Sequence, residues 1–266
     1  MTAGDDRTVK LFNPHKDDPS QPNHEALLIK NYTGVHGYPI LDVVIAKDNA
    51  KFATAGDDPP SLPLSHRFFS LRPLLIINPE LLGGDKSCFY WDVTTGRVVR
   101  RIQAHQHRIN AVDMNEDGTV LLTASYDRLV CLWDLRSNTR DAIQTLNDAS
   151  DSVTSVVATP SSIITSSVDG KVRTYDLRAG QLREDSIRDP ITSLRLTNDK
   201  KCALCACLGN KTMGIPGTVR LVNLSSGQVL QEYSGGHVHD RFKIESCKDE
   251  HTSLNRIDSH SSRHHQ

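Results

Sequence analysis

A chain of 266 residues with 37% hydrophobic and 24% charged residues has the composition of an ordinary globular protein and the length to bury a core as one all-β domain. Its formal net charge of −1, from 31 Lys+Arg against 32 Asp+Glu, excludes a global field aimed at nucleic acid or a membrane surface. The start, MTAGDDRTVK, is acidic where a secretory leader is apolar, and the most apolar stretch, Phe68 to Leu82, is broken by prolines and charges. Six cysteines without a leader read as reduced thiols. The expectation is a protein of the cytoplasm and nucleus with no membrane partner.

The first element is Thr2 to Asn13, TAGDDRTVKLFN, a pattern that returns along the chain. Its second copy is split: Thr54-Ala55-Gly56 resumes at Gly84 and runs to Asp92, GDKSCFYWD. Residues 57–83 between the halves, with five prolines and no strand alternation, fall at a turn that usually takes two to five residues. The segment reads as retained foreign coding sequence in preference to a functional lid, which would carry polar surface and hinge residues.

The next unit is the clearest. Ile109 to Met114 alternates as a strand, Glu116-Asp117-Gly118 turns, Val120 to Ser125 forms a second strand, and Tyr126-Asp127-Arg128 turns into Leu129 to Trp133. Asp134 to Thr139 is a polar link, and Ala142 to Leu146 makes an outer strand. A further unit closes at Tyr175-Asp176 and a weaker one at Asn223. The spacing from Asp92 to Asp134 is 42 residues, and it is 42 again to Asp176. A period of this length with an aromatic-Asp closure predicts four-stranded propeller blades.

These residues resemble the WD-repeat family. The resemblance implies an all-β β-propeller of about four complete four-stranded blades with partial blades at both ends, an incomplete seven-blade ring. Residues 1–56 supply a partial first blade and the start of the second, 57–83 a non-propeller insert, 84–247 the blades, and 248–266 a disordered tail. The chain opens inside a repeat, so the first blade is expected to lack two inner strands, and the whole reads as a truncated product. The resemblance further implies that His105, Thr123, Ser125, Asp127 and Trp133 form a hydrogen-bonded network inside one blade. A buried indole, imidazole and carboxylate each need a partner and can satisfy one another. The same residue types could form a hydrolase triad, but they recur with the repeat and sit within strands, whereas a nucleophile needs an exposed pocket. In the unit closing at Asp176, Tyr175 replaces the tryptophan and the histidine is missing, so only a partial network is expected there.

Three runs, WDVTTGRVVRRIQAH, SVDGKVRTYDLRAGQL and SSGQVLQEYSGGH, are similar to WD-repeat scaffolds that organise mitogen-activated protein kinase cascades and also occur with spliceosomal complexes. That likeness implies kinase-cascade or spliceosomal proteins as partners, with any RNA association indirect. Arg97, Arg100, Arg101 and Arg108 form the densest basic cluster, a candidate partner-binding surface or a solvated outer strand. CALCAC (Cys202 to Cys207) suggests a zinc knuckle, but strand periodicity puts Cys205 and Cys207 on one side and Cys202 on the other. No P-loop order or HExxH occurs, and neither catalytic residues, cofactor nor metal is expected.

Overall fold

The structure, a computed structural model, describes residues 1–17, 26–56, 86–103, 105–209, 217–234, 245–246 and 257–258. The insert at 57–83 and most of the tail therefore lie outside the described residues. Regular structure among the described residues is all strand. The chain divides into two compact units, Met1–Asn110 and Ala111–Gln266.

The first unit begins with β1 (Thr2–Ala3), β2 (Val9–Asp17) and β3 (Ala26–Tyr32) in one antiparallel sheet. Although the sequence predicts that both inner strands are missing, the two-residue β1 pairs with β2, and β3 supplies an outer strand that periodicity alone had not marked. A four-stranded sheet follows, β4 (Ile40–Ile45), β5 (Lys51–Gly56), β6 (Ser87–Asp92) and β7 (Val98–Gln103), in chain order. Its β5–β6 pairing sets Phe52 opposite Trp91 and Lys51 opposite Asp92. The same register recurs in the next blade, where β9 (Val120–Ser125) and β10 (Val130–Asp134) pair Leu121 with Trp133 and Val120 with Asp134. The split copy thus pairs as an uninterrupted repeat would. Around Val9, Tyr32, Ile40 and Phe89, the rings of Phe52 and Trp91 stack 5.5 Å apart, and Tyr32 meets Phe52 edge-on at 4.8 Å. Such offset and edge contacts suit the charge distribution of aromatic rings.

The second unit holds three four-stranded meanders. The first comprises β8 (Ile109–Met114), β9, β10 and β11 (Gln144–Leu146). Next come β12 (Val153–Ala158), β13 (Ser162–Ser167), β14 (Lys171–Asp176) and β15 (Gln181–Ser186). The third comprises β16 (Ile191–Leu196), β17 (Cys202–Cys207), β18 (Thr218–Asn223) and β19 (Val229–Tyr233). Short strands β20 (Glu245–Ser246) and β21 (Ile257–Asp258) pair with each other, so two residues of the expected tail are in a ladder. The outer strand β11 is shorter than its sequence suggests, although the Ile143 N–H still donates to the Leu132 carbonyl at 2.8 Å.

The second strand of each of these sheets, β9, β13 and β17, is buried at all but its first residue, so it lacks the polar alternation of a half-exposed strand. One core joins Leu122, Ala124 and Val130 to Val153, Val156 and Ile163; the next joins Ile164 and Val172 to Ile191, Leu194, Ala203 and Val222. Burying each such aliphatic side chain contributes about 1.5–3 kcal/mol. Neighbouring inner strands are also bonded through polar groups: the Ala158 N–H donates to Asp113 at 2.7 Å, and the Leu194 N–H to Ser155 Oγ at 3.1 Å.

The closing aspartate of each repeat is a turn-former. Asp92 Oδ1 accepts the Thr95 N–H, Asp134 Oδ1 that of Arg136, Asp176 Oδ1 those of Arg178 and Ala179, and Asn223 Oδ1 that of Ser225. A side chain that bonds backbone two or three residues ahead pre-forms the turn into the outer strand. A second aspartate shapes the opposite hairpin. Asp6, Asp127 and Asp169 each accept the N–H two residues on, from Thr8, Leu129 and Lys171. The intervening residue is left-handed: Arg7 at φ 61°, Arg128 at 72° and Gly170 at 77°. At Gly170 a Cβ would stand 3.0 Å from the Arg188 carbonyl carbon. Gly170→Ala is therefore expected to lower stability by about 1–2 kcal/mol, from left-handed strain together with a backbone clash, as read by urea unfolding.

Candidate functional site

A polar arrangement that had not been singled out in the sequence lies in the first unit. Trp91 Nε1 donates to Thr54 Oγ1 at 3.0 Å, and the same hydroxyl meets His36 Nε2 at 2.7 Å. His36 lies in the loop ahead of β4, Thr54 on β5 and Trp91 on β6, so one hydroxyl ties three successive elements of a blade. Thr54 is fully buried, Trp91 is 2% exposed and His36 8%. Its signal was present: a histidine four residues before the inner strand, then TAG, then WD. The interposed residues hid the spacing.

In the next blade the structure brings Thr123 and Trp133 together, with the indole N–H donating to Thr123 Oγ1 at 3.1 Å. Ser125 and Asp127 meet through the turn: the Asp127 N–H donates to Ser125 Oγ at 3.1 Å. One oxygen of Asp127 is spent on the Leu129 backbone, a turn role that the network expectation did not include. His105 is buried at the end of the first unit.

The blade closing at Asp176 uses different chemistry. Tyr175 donates its hydroxyl to Asp148 and accepts from Thr165; burial first, then the Asp148 carboxylate, pushes the phenol well above its usual range. Asp148 stands one residue ahead of the position that a histidine would take, so the repeat spacing passes over it. On the same strand Arg173 is 1% exposed. Its guanidinium donates to Asp169 Oδ2 at 2.7 Å, to Asp169 Oδ1 at 3.3 Å and to Glu184 Oε1 at 2.7 Å. Lys171 adds a bond to Glu184 Oε2 at 2.6 Å. Burial would raise the Asp169 carboxyl, but Arg173 and the N–H and hydroxyl of Ser150 hold it down to about 2. The Arg173 position is Cys131 one blade earlier, so no periodic signal marks it.

In the last meander Cys205 and Cys207 occupy the Thr123 and Ser125 positions and Val222 that of the tryptophan. Both thiols are buried on one side of β17 and Cys202 is half-buried, the alternation that a strand dictates. Burial pushes Cys205 up, and Cys207 up to about 11, so both are protonated at neutral pH.

The basic cluster is not one patch. Arg97 is exposed in the turn before β7. Arg100 and Arg101 are consecutive on β7, opposite Tyr90 and Phe89 respectively, and consecutive strand residues face opposite ways. Arg101 donates to Ser87 Oγ at 2.9 Å and lies over the Phe89 ring at 5.6 Å. Arg108 is exposed beyond the far end of β7, ahead of β8. Thr54, Thr123 and Ser125 are fully buried, so no substrate reaches their hydroxyls, and the histidine-hydroxyl pairing serves to hold strands together.

A family model described as "WD domain, G-beta repeat" matches residues 96–134, the stretch from the β6–β7 turn to the end of β10. The chain is 31% identical over 285 residues to "WD repeat domain-containing protein 83 homolog" of Dictyostelium discoideum, across 96% of this chain and 73% of that protein. It is 34% identical over 202 residues to "WD repeat domain-containing protein 83" of Xenopus tropicalis, across 76% of this chain and 52% of the relative. The rat protein of the same name is 36% identical over 115 residues, 43% of this chain and 34% of the relative. With a likeness that runs through nearly its whole length, and with Trp–Thr bonds and aspartate-built turns repeated from sheet to sheet, the chain belongs to the WD-repeat family.

Proposed function

We propose that the chain is a non-catalytic adaptor that holds proteins of a mitogen-activated protein kinase cascade close to one another, in the cytoplasm and nucleus. The observation that carries this reading is the burial of the recurring hydroxyl and indole groups. They are consumed in holding the strands of a blade together, while turns and outer strands face solvent. An adaptor of this kind acts by raising the effective concentration of its clients, with no chemistry of its own. The choice of kinase-cascade clients rests on the sequence likeness of the three runs around Trp91, Ser167 and Ser225. Affinity capture with the 266-residue chain, followed by identification of bound proteins, tests it. Kinase-cascade components are the expected recovery. Spliceosomal proteins in their place would move the reading to a pre-mRNA-splicing subunit, and recovery of neither would overturn both. The opposed faces of Arg100 and Arg101 weigh against direct RNA binding by that cluster.

A further inference from the structure

Two outer strands place a matched pair of side chains against the sheet that follows. Tyr32 and Lys30 on β3 stand opposite Val9 and Leu11, which lie four and two residues ahead of Asn13. Asp185 and Arg183 on β15 stand opposite Val172 and Thr174, four and two residues ahead of Asp176. The register positions are therefore the same in the two sheets, and residues two apart share one face of a strand.

On β3, the Lys30 ammonium donates to the Val93 carbonyl at 3.1 Å and to the Thr94 carbonyl at 2.6 Å, and the Tyr32 hydroxyl donates to the Val93 carbonyl at 3.0 Å. The Tyr32 ring, 5.3 Å from the ammonium, steadies it by a cation–π contact. On β15, Asp185 Oδ1 accepts from Nε and Nη2 of Arg183 at 3.1 and 2.9 Å. This aims Nη1 at the Ser225 carbonyl, to which it donates. Thr94 and Ser225 each lie two residues past the closing Asp92 and Asn223, so one contact recurs in two chemistries. Both gripped turns need glycine: Gly96 has φ 72° and Gly227 φ 71°. A Cβ on Gly96 would stand 2.9 Å from Lys30 Cε, and one on Gly227 would overlap the Asp185 carboxylate.

Between the sheets of β8–β11 and β12–β15 the seam is built otherwise. The matching outer-strand residues are Leu146 and an exposed Gln144, opposite Val130 and Leu132. A Cβ on Gly180, in the turn that follows, would meet nothing within 4 Å. That turn carries Arg178 where the gripped turns carry Thr94 and Ser225, and a second cation brought to it would be repelled.

We propose that Lys30 and Arg183 are inter-blade latches, each a cation on the outer strand of one sheet that holds turn carbonyls of the next and keeps that sheet from swinging open as a body. Charge-assisted bonds are the stronger class, and these sit at the outer strands, farthest from the inner ones that pack the seam. The inner part of the second latched seam has its own bonds, from the Leu194 N–H to Ser155 Oγ at 3.1 Å and from Thr154 Oγ1 to the Ile191 carbonyl at 2.9 Å. Opening of the seam therefore frees the Leu194 amide, although Leu194 belongs to a different strand from the latch.

Native-state hydrogen exchange of the 266-residue chain tests this, because local opening is read amide by amide. The double variant Arg183→Gln with Asp185→Asn removes the latch without leaving a buried carboxylate unpaired. In it the Leu194 amide is expected to exchange at least about tenfold faster than in the wild type. The Ala158 amide, which bonds Asp113 across the unlatched seam, keeps its wild-type rate. Arg183→Lys, which retains a cation as Lys30 does, holds Leu194 within about threefold of the wild type. An unchanged Leu194 rate in the double variant overturns the proposal, and so does an equal rise at Leu194 and Ala158, which reports loss of global stability. A lysine variant as fast as the double variant overturns it as well.

Discussion

Replacing Arg173 by alanine is expected to cost about 3–5 kcal/mol in urea unfolding, the range for breaking a buried ion pair from one side. The guanidinium is 1% exposed and bridges Asp169, whose side chain is 8% exposed, to Glu184. Without it the Asp169 charge keeps only its bonds from Ser150 and the Lys171 N–H. The double change Arg173→Met with Asp169→Asn should recover much of the loss, because no uncompensated charge then remains in the interior. The pH dependence follows from the depressed Asp169 carboxyl. A folded value of about 2 against an ordinary 3.8 means that its stabilising contribution is complete above about pH 4 and is lost as pH falls through about 2. In Arg173→Ala the carboxyl loses the bonds that hold it down, so acid unfolding should begin at higher pH. Identical acid profiles for the two proteins would refute this.

Thr54→Val is expected to cost about 2–4 kcal/mol, since one oxygen serves two buried groups. Removing it strips the Trp91 indole N–H and the His36 Nε2 of their shared partner, at about 1–3 kcal/mol for each buried polar group left unmatched. Thr54→Ser, which keeps the oxygen and loses a methyl, should cost about 1 kcal/mol. The chain has two tryptophans, Trp91 and Trp133, so a Trp133→Phe background lets fluorescence report Trp91 alone. Valine and serine variants of equal stability would mean that the hydroxyl contributes nothing.

Much of the blade was legible because strand alternation and turn chemistry act locally. The strands at Ile109–Met114 and Val120–Ser125 fall where alternation puts them, and the aromatic-Asp closures mark turns because aspartate bonds the backbone just ahead. What escaped depends on space. His36, Thr54 and Trp91 are joined through one hydroxyl, yet the residues after Gly56 separate them in the chain. Asp148 does a histidine's work from a position one residue off the repeat. Arg173 replaces a cysteine at a buried site, and its partners Asp169 and Glu184 come from a turn and an outer strand that no periodicity links. Arg100 and Arg101 looked like a cluster because they are adjacent in sequence, which on a strand sets them apart.

The pairing of β5 with β6 bears on the order in which the chain folds. Four residues separate β9 from β10, whereas thirty separate β5 from β6. Loop-closure entropy rises by about 0.6 kcal/mol with each doubling of length, so nearly three doublings burden this hairpin by roughly 2 kcal/mol before its first contact forms. A four-residue hairpin zips within microseconds and can nucleate a blade by itself. The sheet of β4–β7 closes later, on a template that β1–β3 and its own outer strand must already supply. Nascent chains would then expose the apolar faces of Phe52 and Trp91 longer than any other pair of inner strands, which makes this blade the point at which misassembly begins.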